Sequence, residues 1–187
     1  MKRIRLALLA LCISSSYPAD DVTAELLAFA HTQATNIASR ADVIEQVKRQ
    51  NKVHATLSQA QIAVLDKDWR QQFGNAKAPL INSLMDTPLS DALRHLQLHS
   101  NELITEIIIM DNRGLNVAQS TVTSDYWQGD EAKWLQTFMV GPDAEHVGEL
   151  GRDDSTGSIQ IQVSRTISDS HGQPIGAVTV GVAPVQF

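Results

Sequence analysis

The chain is poor in cysteine, in positive charge, in aromatic side chains and in long apolar runs, and each shortage removes a class of explanation. A single cysteine, Cys12, rules out an internal disulfide and a multi-cysteine zinc site. Lys and Arg number 15 against 21 Asp and Glu, for a formal charge of −6, which disfavours nucleic acid and anionic membrane as partners. The longest uninterrupted apolar stretch, Leu6–Ile13, is eight residues, well short of the roughly 20 that span a bilayer. No glycine-rich phosphate loop, Ser-His-Asp order or nucleophile elbow is present. Asp91, His95 and His99 fall four apart on one helix face, but that face lies opposite the leucines and lacks the glutamate of a zinc-protease motif. No metal, cofactor or catalytic residue is therefore assigned.

What is present begins with "MKRIRLALLALCISSSYPADD", in which Lys2, Arg3 and Arg5 precede the apolar stretch and small or polar residues follow it. This is the form of a secretory leader. Cleavage is expected after Ser16 or Ala19, removing Cys12; Leu11 stands where a lipoprotein signal wants a small residue. Loss of the three basic residues leaves 12 cations against 21 acids. The expected mature protein is residues 20–187, a single domain exported to the periplasm, with a helical part over 20–101 and a sheet part over 102–187.

In the helical part, Leu27, Ala30, Ala34, Ile37, Ala41 and Ile44 recur at spacings of three and four. They predict one helix from Val22 to about Asn51, roughly 42 Å long at 1.5 Å per residue. Ser58 with Gln61 three residues later forms a capping-box signature for a second helix, whose expected buried face is Ile62, Leu65, Trp69 and Phe73, with Gly74 and Asn75 ending it. Thr87 and Pro88 start a third, with Leu89, Leu93 and Leu96 inward.

After Asn101 the texture changes to strands. "LITEIIIMDNRGLNVAQST" predicts a hairpin turning at "DNRG"; "GSIQIQVSRTISDSHGQPIGAVTVGV" predicts another turning at "DSHGQPIG", with alternating Ile and Gln in its first strand. Helices followed by two hairpins describe an α+β domain with one antiparallel sheet. "IIIMDNRGLNVAQS" resembles the opening hairpin of the Cache (PAS-like, PDC) extracellular sensor domains, and "DDSTGSIQIQVSRTISDSHGQPIGAVTVGV" is similar to their closing half. The resemblance runs from Leu103 to Val182 and extends to the long first helix. It implies a small molecule held between the sheet and the segment joining the second and third strands.

That segment contains "SDYWQGDEAKW", residues 124–134, where two of the chain's three tryptophans and one of its two tyrosines gather. On one view Tyr126, Trp127 and Trp134 wall a pocket in which Asp130 or Asp125 takes up an amine, with Ser120, Gln162 and Ser164 completing its inner surface. On the other, Ser124 caps a short helix whose tryptophans dock it on the sheet. Arg165 falls on the isoleucine face, where it is expected either to pair with an acid or to grip a ligand carboxylate. The resemblance thus implies a non-enzymatic periplasmic sensor for an amino acid, amine or small carboxylate. Since typical members feed an attached output domain and this chain stops five residues after Val182, signalling through a separate membrane-bound partner is expected. The alternatives are an interaction module that uses the long helix, including as a homodimer, with no small-molecule ligand, and an enzyme with Asp125/Asp130 or Asp153/Asp154 as acid and base.

Overall fold

The computed structural model describes residues 19–152 and 157–183. The expected leader up to Pro18, with Cys12, and the Asp153/Asp154 pair lie outside the described residues. Five helices come first: α1 (Ala19–Ala38), α2 (Ala41–His54), α3 (Gln59–Gln72), α4 (Pro79–Met85) and α5 (Pro88–Leu98). Strands β1 (Ile104–Asp111) and β2 (Asn116–Gln119), the short helix α6 (Ala132–Leu135), strands β3 (Glu145–Val147) and β4 (Gly151–Arg152), and the hairpin β5 (Ile159–Ser168) and β6 (Pro174–Val182) follow. No helix among the described residues is long and apolar enough to cross a membrane.

Two short polar segments set the helical part. Ser58 accepts from the Gln61 N–H while the Gln61 side chain accepts from the Ser58 N–H, completing the capping box of α3, and Thr87 caps α5 ahead of Pro88. The predicted first helix, by contrast, is two helices. At the break Arg40 is extended (φ −67°, ψ 132°), the Ser39 hydroxyl donates to the Asn36 carbonyl, and the Arg40 guanidinium folds onto Asp42 at 2.6 Å. A continuous helix with Ile37 inward would have carried Ala41, Ile44 and Lys48 to the sheet. The break instead rotates α2 so that Val43 and Val47 are fully buried and Gln50, Asn51 and His54 meet the hairpins. Phe73, expected inward, is 41% exposed because α3 ends at Gln72 and the chain turns away through Gly74 at φ +75°; Asp66 shares the inward face instead.

The antiparallel sheet runs β2-β1-β6-β5-β3, with β4 attached to β5. It is PAS-like, as the sequence resemblance implied. Its strands alternate in character with a period of two. Ile107, Ile109, Val178, Val180, Val182, Val163 and Ile167 point to one side and close the main core with Ala30, Ala34 and Ile37 of α1, Val43 and Val47 of α2, and Leu89 and Leu93 of α5. Burying each of the valine, leucine and isoleucine side chains stabilises the fold by roughly 1.5–3 kcal/mol. The other side is largely polar along β5, where Gln162, Ser164 and Thr166 lie opposite Gly181, Thr179 and Ala177 of β6. That polar face belongs to the site.

Both hairpins turn on the same device. Asp111 accepts the N–H groups of Arg113 and Leu115 through Oδ1, and its carbonyl accepts from Gly114 at φ +80°. Asp169 accepts from His171 and Gln173, and its carbonyl from Gly172 at φ +74°. These two backbone N–H groups hold the Asp169 carboxyl below its ordinary range. Asp111 is also a crossroads. Its Oδ2 receives the Gln50 amide at 3.0 Å and the His54 Nδ1 at 2.8 Å from α2, and its carbonyl receives the Trp134 indole at 3.0 Å.

Candidate functional site: a polar cavity on the sheet

A cavity of about 700 Å³ opens on the polar face. One wall is the segment 123–133, the other is β3 and β4 with the turn between them, and the floor is the start of β5. Asp125, Glu131 and Lys133 face it from the first wall, His146 and Glu149 from the second, and Gln160 and Gln162 from the floor.

The 124–134 segment divides its labour by side-chain type. Its aromatic groups turn inward. Tyr126 is 5% exposed and stacks on Trp69 of α3 with centroids 5.2 Å apart and rings 14° from parallel. The Trp127 indole donates to the Arg113 carbonyl at 2.8 Å, and Trp134, stacked on Phe138, packs with Ile108, Met110 and Ala177. Its polar groups, Ser124, Asp125, Gln128, Glu131 and Lys133, line the cavity. The stretch is therefore both a wall and an anchor. Only Ala132–Leu135 is helical; Gly129 before it packs tightly against the Trp127 ring, where a Cβ would collide with the indole nitrogen.

The segment is held from behind by α3. Asp66, at the centre of that helix's inward face, accepts the N–H groups of both Tyr126 and Trp127 at 3.0 Å. Its other oxygen receives Arg70 at 2.9 Å, and Arg70 also reaches Asp125 at 3.1 Å. Burial raises the Asp125 carboxyl despite Arg70, which opposes the shift. Burial, with the Asp111 charge second, raises Tyr126 strongly. Lys133 lies 2.9 Å from Glu131 and 3.2 Å from the Gln128 oxygen.

Of the residues expected at a site from sequence, the structure brings Gln162 and Asp125 to the cavity. Tyr126, Trp127 and Trp134 stand behind its wall, and Asp130 is exposed outside it. The Ser120 hydroxyl accepts from the Ile107 N–H at 2.8 Å and joins β2 to β1. Ser164 is buried against Thr179 at 2.9 Å. Arg165 sits on the opposite face of the sheet, paired with Glu145 and, at 3.2 Å, with Asp143. Sequence reasoning passed over Glu106, Asp66, Lys133 and Gln160. Glu106 carried a legible signal, an acid two residues before Ile108 and at the start of the apolar run 107–110. Asp66 carried another, standing one helical turn from both Ile62 and Trp69.

The floor rests on Glu106, which is 1% exposed. Across the sheet Glu106 lies beside Gly181 of β6, which lies beside Gln162 of β5. The amide groups of Gln160 and Gln162 both donate to Glu106 Oε1, at 2.6 and 2.8 Å, and the Thr105 hydroxyl donates to the Gln160 oxygen.

No family model matches the sequence, and no curated protein matches it. Solved structures do resemble the fold. The sensor domain of the Vibrio cholerae histidine kinase DctB matches over 87% of this chain at 13% identity with a TM-score of 0.41. The extracellular domain of a histidine kinase, rpHK1S-Z16, matches over 86% at 13% identity and 0.43. The Campylobacter jejuni chemoreceptor Tlp3 sensory domain, solved with isoleucine bound, matches over 89% at 14% identity and 0.40, covering 64% of that domain. The chain spans 52% and 58% of the first two.

Proposed function

We propose that this chain is a periplasmic small-molecule-binding sensor module of the Cache kind, delivered by its leader as a single domain over residues 20–187. It takes an amino acid, an amine or a small carboxylate into the cavity and passes occupancy to a separate membrane-bound signalling protein. One observation carries this reading. Polar and charged side chains of both signs, among them Asp125, Glu131, Lys133 and Arg152, converge on a concave space of about 700 Å³ instead of on a convex, solvated surface. A cavity of this size suits a small ligand, and both charge signs suit a zwitterion or a charged head group. The aromatic anchors and the Asp66 brace hold the wall in place without the ligand, so little ordering opposes binding.

The test is calorimetric titration of residues 20–187 with amino acids, amines, polyamines and small carboxylates. A hit that weakens about tenfold or more in Gln162→Ala, in a protein that still unfolds cooperatively, supports the site. Uniform silence across the panel would overturn it and leave the interaction module without a ligand.

A further inference from the structure

We infer that Glu106, buried behind the cavity floor, fixes which way the floor's carboxamides face, and so selects a ligand that brings an ammonium group to Gln162. The inference rests on the cavity being a ligand site and goes further by assigning the chemistry of its floor.

A glutamine side chain ordinarily offers either its oxygen or its NH₂, since the two ends are nearly the same shape. Here that freedom is removed from behind. Glu106 Oε1 accepts from Gln160 and Gln162 together. That oxygen is an acceptor whether the carboxyl is ionised or carries its proton on the other oxygen, so both amides must turn their NH₂ toward it. A reversed carboxamide would set oxygen against oxygen in a buried place, where an unmet polar group is costly. The Thr105 hydroxyl, donating to the Gln160 oxygen, fixes the same sense independently. The Gln162 oxygen is left as the acceptor on a residue that lines the cavity.

Gly181 keeps the seat for this cluster. A Cβ there would stand 2.6 Å from both the Gln160 oxygen and the Thr105 hydroxyl, and 2.9 Å from Glu106 Cγ. Any side chain there would have to push these groups apart. Around the floor, Asp125, Glu131 and Glu149 add carboxylates to the walls, and the exposed Arg152 of β4 adds a cation. Lys133 is already engaged by Glu131 and Gln128. An ammonium therefore meets acceptors at the floor, whereas a carboxylate meets oxygen there. Glu106 is in this sense a positioning residue, since it acts through Gln162.

The test uses two probes of similar size and opposite charge, ethylammonium and propionate, titrated into ¹⁵N-labelled protein while the Gln162 side-chain amide and the Gly148 N–H are followed. The expected result is that ethylammonium shifts these signals at concentrations at least about tenfold below propionate. In Glu106→Gln, which keeps the shape but accepts a carboxamide in either sense, that preference should fall about tenfold with Gln162 still in place. Equal response of the wild type to both probes overturns the inference while leaving the cavity a site. An unchanged preference in a folded Glu106→Gln overturns the role of Glu106. Silence of all cavity signals toward both probes overturns the floor's assignment and the site together. Should Glu106→Gln fail to fold, the wild-type comparison still decides the polarity.

Discussion

Tyr126 shows at the scale of one residue how burial decides between two roles. Its ring could have faced a ligand, but it is stacked on Trp69 in an apolar cluster, separate from the main core, with Ile62, Ile81 and Leu115. A phenol so placed resists ionisation. The folded state therefore keeps its proton above pH 10, where the unfolded chain releases it, and stability should fall as pH rises through that range. Urea midpoints measured between pH 8 and 11 should drop more steeply for the wild type than for Tyr126→Phe; parallel curves would mean the phenol is not the cause. Asp111 makes a second case. Asp111→Ala removes the acceptor for two turn N–H groups, Gln50 and His54 at once, and should cost roughly 2–4 kcal/mol by chemical denaturation. The inward place of Asp66 was legible, but the partners that make Asp66 and Asp111 hubs, Tyr126 and Gln50, lie about 60 residues away along the chain. Local periodicity carries no information over that distance. What local chemistry could place, it placed well, as with Ser58 and Thr87 at their caps and Gly114 in its turn.

The helical elements show the converse, a boundary that no residue type announces. The break between α1 and α2 contains no proline or glycine; what forces it is the mismatch between the stripe ending at Ile37 and the one through Val43 and Val47. Helix α4 also escaped notice, though Pro79 opens it, because seven residues carry too little periodicity to register. The two hairpins, by contrast, were legible because each turn has its own chemistry. Their glycines nevertheless differ in what surrounds them. Gly172 has open space where a Cβ would go, so Gly172→Ala should cost only the strain of positive φ, about 1–2 kcal/mol. A Cβ on Gly114 would stand 2.5 Å from the Gly129 backbone, and Gly114→Ala should cost at least about twice as much, since turn and cavity wall would have to part. Thermal unfolding of the two variants side by side checks the order; equal losses would show that the wall moves freely.

Across the whole molecule, the main core lies on one face of the sheet and the cavity, with the anchors of its wall, lies on the other. Substitutions of an anchor and of the floor should differ in effect. Trp127→Ala, which removes the hydrogen bond to Arg113 and the packing of Gly129, should lower stability by roughly 3 kcal/mol and affect binding only through the loosened wall. Gln162→Ala, which takes one of two amide donors from Glu106, should change ligand affinity with a smaller loss of stability, about 1 kcal/mol. The sheet's layout has one more consequence, for behaviour at high concentration. Its edges are short, four residues in β2 and three in β3, whereas β5 runs for ten. Among the described residues, β5 is covered along its outer side by β3 and β4, the same strands that form one wall of the cavity. If that flap swings out, the alternating Ile-Gln-Ile-Gln edge becomes a template for pairing with another copy. A ligand bridging the two walls would hold the flap closed, and so would also act as an inhibitor of self-association.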